Sequence, residues 1–391
     1  MKHFLGCFCV RGIVAVLLLW SGPAAAQAFL ENYAPAMPKI EMIPQKEFEA
    51  SSVLYQDIPS GDKALSYKFR LPKDWEKPAD SANSTYQVSD KVLGEIVRLY
   101  GPPLVDTRSY FSLMAINLDY ALTAQQWLLQ YLLSSGFTIQ GIKEHNENRA
   151  EVLYVKVENG ATFVIRTVAQ INGKRIVLAQ YVMPAENWDS EQKLQAQAMG
   201  TFELTHEVDE DPEEMESYVL FDIARFKYPK SWEFKLQPLK SVDRMGFELL
   251  NVISTFSLQN RTAKTLDGRI QVDVVSYDAI ESVGSEIDQL KANLSKIGLV
   301  SGEKIETRTN FKFMPDVLHS DVEVFDGTDD KSNFLKYEYW LVSVEMGDYY
   351  YFVHMITLSR DEDYFSWARN TEAYKLILRH LEPLGEGTMM K

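Results

Sequence analysis

The sequence predicts an α+β protein made of two similar domains, each an α/β/α sandwich around a central antiparallel sheet. Three observations lead there. A chain of 391 residues has room for two or three domains of ordinary size, and 46% hydrophobic with 24% charged residues is a globular composition. The segment Phe69-Arg70-Leu71-Pro72-Lys73-Asp74-Trp75 returns 157 positions later as Phe226-Lys227-Tyr228-Pro229-Lys230-Ser231-Trp232, with Phe, Pro and Trp at the same spacing. Each copy is then followed, in the same order, by a strand, a glycine-ended helix, a run of strands and a second helix containing tryptophan. Repeats of this kind decide domain organisation before any single element does.

The elements follow in chain order. The first 26 residues have a basic start (Lys2, Arg11), an apolar run from Ile13 to Trp20, and a Ser21-Gly22-Pro23 break before Ala24-Ala25-Ala26. That is the pattern of a secretory signal peptide, and the run is far short of the roughly 20 residues that span a bilayer. We therefore expect an exported, periplasmic or secreted, protein with no transmembrane segment after cleavage. Cys7 and Cys9 would leave with the signal, so the mature chain would hold no thiol. The formal charge, −15 for the whole chain, would fall further on losing two basic residues. Such a field repels nucleic acid, and no Lys/Arg stripe reverses it.

Residues 27–56, with Pro35, Pro38 and Pro44, read as an extended arm. Domain 1 is expected over 57–206. In it Phe69 to Trp75 is a strand running into a proline, Phe111 to Asp119 is a strand, and Thr123 to Ser135 is a helix with a Thr123/Gln126 capping box and a Gly136 stop. A three-stranded meander then covers 152–157, 161–169 and 175–182, turned by Asn159-Gly160 and Asn172-Gly173. Glu203 to Glu216 is too acidic to bury as a run, so 207–219 is assigned to a solvated linker. Domain 2, over 220–384, repeats the scheme with a strand at 269–277, a helix at 285–297 ended by Gly298, strands at 322–325, 334–344 and 349–357, and a closing helix containing Trp367; 385–391 is a tail.

This order of elements, together with the opening Phe-x-x-Pro-x-x-Trp, resembles the PsbP-like superfamily, which includes DcrB-like exported proteins. The resemblance spans most of 65–206 and 222–383. It implies a non-enzymatic scaffold used for docking and assembly, with no shared catalytic residues to carry over.

The residues themselves point the same way. His145, His206, His319, His354 and His380 show no zinc-binding spacing, and no nucleophile elbow or phosphate-cradling glycine loop occurs. Asp326 to Asn333 offers oxygen ligands without the glycine and terminal glutamate of a calcium loop, and reads as a polar hairpin. His354, in an apolar strand, reads as a hydrogen-bonded structural histidine. Tyr337, Tyr339, Trp340, Tyr349 and Tyr351 lie on adjacent strands. Core packing is the first explanation for them, and a recognition surface for a protein or glycan the second. Asn83, Asn260 and Asn293 head glycosylation-type triplets. No cofactor, metal site or catalytic residue is assigned. The function expected is an exported binding or assembly protein with a protein partner. The alternatives are a small-ligand or divalent-cation carrier using the inter-domain cleft, and a hydrolase with a carboxylate site.

Overall fold

A computed structural model describes residues 35–77, 92–102, 107–239, 241–256, 262–309, 311–313, 321–329 and 335–384. The segment read as a signal peptide, with both cysteines, and Asn83, Asn260, His319, residues 330–333 and the tail lie outside the described residues.

Each half of the chain builds the same pair of sheets. In the first half β1 (Ser52–Asp57), β2 (Tyr67–Pro72) and β9 (Glu203–Leu204) form a small sheet in the order β1-β2-β9. The strands β3 (Val92–Tyr100), β4 (Tyr110–Asn117), β5 (Thr138–Asn146), β6 (Arg149–Glu158), β7 (Ala161–Asn172) and β8 (Arg175–Pro184) form an antiparallel sheet ordered β3-β4-β8-β7-β6-β5. In the second half β10 (Met215–Leu220), β11 (Ala224–Pro229) and β19 (Glu382–Pro383) make the small sheet. The large one runs β12 (Glu233–Leu236), β13 (Arg244–Phe256), β14 (Thr262–Ser276), β18 (Tyr349–Leu358), β17 (Lys336–Met346), β16 (Val322–Asp329) and β15 (Leu299–Arg308). Apart from β12 the two orders match strand for strand. Even β12 has a trace in the first half: Glu76, one residue past Trp75, bridges Tyr100, just as Glu233, one past Trp232, pairs with Leu250.

Helices complete the layers. The helix α2 (Ala124–Ser134) lays Leu128, Leu129 and Leu132 on Val152, Ile165 and Leu178 of one sheet face. On the other face α3 (Trp188–Gly200) and the small sheet bury Phe69, Trp75, Leu113, Tyr181 and Met199 together. The second half repeats this with α5 (Tyr364–Arg379), whose Ala373, Tyr374 and Ile377 pack on Phe247, Val272, Trp340 and Val353. Its opposite face carries α4 (Val283–Asn293) and a smaller cluster of Leu290, Leu294, Phe325, Tyr339, Leu341 and Phe352. The capping box at Thr123 forms in both directions, and Gly136 and Gly298 take the left-handed φ of +70° and +82° that stops each helix.

Four expectations need correcting. The meanders have four strands, because β5 and β15 follow their helices directly; both are edge strands with mostly exposed side chains, so their apolar alternation is faint. The arm over 27–56 is extended only in part: α1 (Gln45–Ser51) buries Phe48, and β1 belongs to the small sheet. The helix read over 285–297 begins two residues early, capped by Ser282, and its last turn, Leu294–Ile297, is a 3-10 helix. The acidic run at 203–216 is not simply solvated, since it contributes β9, the start of β10 and a buried Glu213.

Candidate functional site

The two domains meet through α2 and α5. Leu122, just before α2, is buried in the main core of the second domain, while Trp127 and Tyr364 pack against clusters of both. The Arg369 guanidinium sits 4.9 Å above the Tyr120 ring. Glu213 accepts hydrogen bonds from the Ala121 N–H at 2.7 Å and the Ser231 hydroxyl at 2.9 Å, joining the domains through one carboxylate. Burial pushes that carboxyl above the ordinary glutamate value, against the opposing effect of its donors and of Arg369. Asp211 is paired with His380 at 2.7 Å, which holds its carboxyl below the usual range.

Between the domains this contact leaves an open groove of about 920 Å³. One wall comes from the start of α2 and the end of β5, including Gln126, Glu144 and Glu147. Burial raises the Glu144 carboxyl, the nearby Lys375 opposing it. On the floor Lys375 donates to Glu372 at 2.8 Å and Glu147 at 3.3 Å. Burial acts to lower that ammonium, but the two carboxylates together hold it above the usual lysine value.

The other wall is stiffer. Glu338, 2% exposed, accepts the indole N–H groups of Trp340 and Trp367, both at 2.8 Å on the same oxygen, and its second oxygen faces Arg360 at 3.4 Å. Arg308 lies over Trp340 at 4.3 Å, and Glu306 bonds Arg308 at 2.9 Å and Arg360 at 3.1 Å. A buried carboxylate is tolerated here because one oxygen takes two indole donors and the other faces a guanidinium. At the rim stand Tyr337, half-buried, and Ile305, 51% exposed on the edge strand β15. This wall thus combines bonded charges of both signs, an aromatic ring and an exposed aliphatic side chain.

The five aromatic residues singled out from sequence separate. Tyr337 reaches this groove. Tyr339, Trp340 and Tyr351 are buried at 2%, 0% and 0% exposure, and Tyr349 is half-buried against the core. The strand alternation sends Tyr339 toward α4 and Trp340 toward α5; both faces are covered, so these three rings present nothing to a partner. His354 is 6% exposed and bonds Asp273 at 3.0 Å, the structural role expected, and His206 is exposed. Sequence reasoning missed Ile305, Glu306, Arg308, Glu338 and Arg360. One signal was available: Glu338 is a lone charge inside Tyr337-Glu338-Tyr339-Trp340, and such a charge needs a partner. Among the described residues no group of three or more His, Cys, Asp or Glu is placed to hold a metal, and no helix is long and apolar enough to cross a membrane.

No family model matches the chain, and no curated protein matches it. Solved structures do. The chain is similar to the cyanobacterial PsbP (CyanoP) of Synechocystis sp. PCC 6803, at 13% identity over 43% of this chain and 98% of that one, with a TM-score of 0.28. It is similar to the Ran-binding protein Mog1p of Saccharomyces cerevisiae, at 8% identity over 39% and 96%, TM-score 0.28. The immunity protein TplEi of the T6SS from Pseudomonas aeruginosa aligns over 78% of this chain and 93% of its own, at 8% identity and a TM-score of 0.20. The class, α+β with paired sheets and helices on both faces of each large sheet, rests on the strand orders above.

Proposed function

We propose that this is an exported, non-enzymatic binding protein that takes up a segment of a protein partner in the groove between its domains. The observation that carries the reading is that groove, about 920 Å³, built on a bonded domain interface and lined at its rim by Ile305 of β15, an edge strand among the described residues. An edge strand offers main-chain donors and acceptors to an extended segment, while Ile305 and Tyr337 supply side-chain contact. Export rests on the signal-type segment at 1–26 and on a mature chain without cysteine.

The test is capture from the native envelope with the wild-type chain and with an Ile305→Asp/Tyr337→Ala variant side by side. A partner retained by the wild type and lost by the variant, with cross-links mapping to β15 or α2, supports the proposal. Equal recovery by both, or cross-links confined to surfaces away from the groove, overturns it.

A further inference from the structure

The repeat gives the second domain a helix that its sheet holds less tightly than the copy in the first. In the first domain α2 closes its sheet face with Leu128, Leu129 and Leu132, packed on Tyr154, Ile165 and Leu178. Its counterpart α4 follows the matching strand and leads, like α2, to a left-handed glycine. Yet α4 buries only Glu286 and Leu290, to which the 3-10 turn Leu294–Ile297 adds Leu294. The sheet face explains the difference. Its register places Glu248, Gln271 and His354 side by side on β13, β14 and β18, with Arg269 and Asp273 two residues to either side of Gln271. The matching row in the first domain is Arg98, Ser112 and Gln180, flanked by Tyr110 and Met114.

Beneath α4 a cavity of about 350 Å³ remains, lined from the helix side by Gln289, Asn293 and Lys296 as well as by leucines, and from the sheet side by the polar row. The apolar contact runs through Leu290 and Leu294, which join Phe325, Tyr339 and Phe352, with Val283 and Ile287 half-buried beside them and the Lys291 ammonium 3.6 Å above the Phe325 ring. One polar link spans the gap. Arg244 on β13 grips both Glu286 oxygens, at 2.6 and 2.8 Å, and the Ala279 carbonyl at 2.9 Å. Among the described residues no other α4 side chain is hydrogen-bonded to the sheet. The sheet's own polar groups are bonded to one another: Arg269 donates to Glu248 at 2.6 Å and Gln271 at 2.7 Å, Gln271 donates to Asp273 at 2.7 Å, and His354 meets the same Asp273 oxygen at 3.0 Å. When the helix lifts, only Arg244 on the sheet loses a partner, and its side chain, 32% exposed, already reaches water.

We infer that residues 283–297, α4 with its 3-10 turn, form a hinged cover that opens from the sheet while the rest of the second domain stays folded, and that the Arg244–Glu286 pair is its latch. The free energy of local opening follows the apolar contact an element makes, and a helix held by two buried leucines and one ion pair lies at the low end. Once off the sheet, an 11-residue helix with Gly284 in its first turn is too short to persist, so opening exposes its amides to solvent. The chain pivots at Ser282, which is extended before the helix, and at Gly298, with φ +82°. The cover gives water and small polar solutes a way to the polar row without disturbing α5 or the small sheet, which close the opposite face.

Amide hydrogen exchange of the full chain, followed peptide by peptide, tests this. After correction for intrinsic rates, residues 283–297 are expected to exchange about 100-fold faster than 364–379 or more. They should keep that rate in urea too dilute to unfold the protein, whereas 364–379 speeds up as urea rises, because only global unfolding exposes much new surface. Two variants separate local from global opening. Glu286→Gln removes the charge of the latch and is expected to speed exchange of 283–297 about tenfold. Ile377→Val weakens packing of α5 that the open cover leaves intact, so it is expected to speed 364–379 by about threefold to tenfold and to leave 283–297 unchanged. Equal protection of the two helices, acceleration of 283–297 by Ile377→Val, or no acceleration of 283–297 by Glu286→Gln overturns the inference.

Discussion

Glu213 gives a sharp test of how the two domains are joined. Its carboxylate is buried and holds the Ala121 N–H, itself on a residue 3% exposed, together with the Ser231 hydroxyl. Glu213→Ala leaves that amide without a partner, a loss of about 1–3 kcal/mol. Ser231 is exposed and turns to water at little cost. Removing a carboxylate that burial disfavours offsets part of the loss, so a net destabilisation of about 1–2 kcal/mol is expected. Glu213→Gln behaves differently: its amide oxygen still accepts from Ala121, its amide nitrogen donates to Ser231, and the desolvated charge is gone. It should lie within about 0.5 kcal/mol of wild type at pH 7 or above it. The raised carboxyl fixes the pH dependence too. A folded value above the unfolded one means that the native state binds the extra proton, so this group's contribution falls as pH rises through the carboxylate range, and Glu213→Gln removes that slope. Urea unfolding read by tryptophan fluorescence, with Trp127 and Trp367 both near the interface, measures all three chains. Equal losses for Ala and Gln, or an unchanged midpoint for Ala, would refute the role assigned to this carboxylate.

Other outcomes follow from single contacts. Gly268→Ala would place a Cβ 2.4 Å from the Asn370 amide, which is fully buried and bonded to Thr357, Asn251 and the Asp267 carbonyl; we expect a loss of about 2–4 kcal/mol, seen as a lower urea midpoint. Asp211, held low by His380, contributes stability that is present above the ordinary aspartate value and lost as pH falls through its depressed folded value. Asp211→Asn should therefore flatten the acid limb of a stability profile between about pH 5 and pH 2, and an unchanged limb would remove that assignment.

The duplication was legible because its markers are local. A Phe, a Pro and a Trp at fixed spacing, a glycine that ends a helix, and Asn-Gly turns each act within a few residues, and β4, β6 to β8, β17 and β18 came out close to their observed limits, whereas β16 runs on to Asp329 through the first half of the stretch read as a hairpin loop. What stayed hidden depends on distant partners. Charge density correctly says that a run such as Glu203 to Glu216 cannot all be buried, yet one member is, because Ala121, 92 positions away, supplies a donor. The strands β5 and β15 carry Lys, Glu, His and Arg where an inner strand alternates, since each has a neighbouring strand of its sheet on one side only. The groove was beyond reach for the same reason: Ile305, Glu338 and Lys375 come from three elements, and only the docking of α2 on α5 brings Glu147 to them.

The two copies also treat their outer edges differently, and that difference argues for which one works. On β5 the edge is met by the N-terminal segment: the Ile142 N–H donates to the Pro35 carbonyl at 2.9 Å, Ala36 pairs with Ile142 in parallel, and the backbone of Met37 lies so close to Gly141 that a Cβ there would stand 3.0 Å away. On β15 the described residues supply no such bridge, and Val300 and Ile305 are half exposed beside two register irregularities. Irregular pairing discourages unspecific edge-to-edge association while still leaving room for a chosen segment. Among the described residues, then, the outer edge of the first domain is covered and that of the second is open. If so, a chain beginning at Gln45, which keeps α1 and its buried Phe48, uncovers β5 and should self-associate more than the chain beginning at Gln27. Sedimentation velocity at matched concentrations measures this. Identical profiles for the two chains would mean that residues 35–37 are bystanders and that the asymmetry between the edges carries no function.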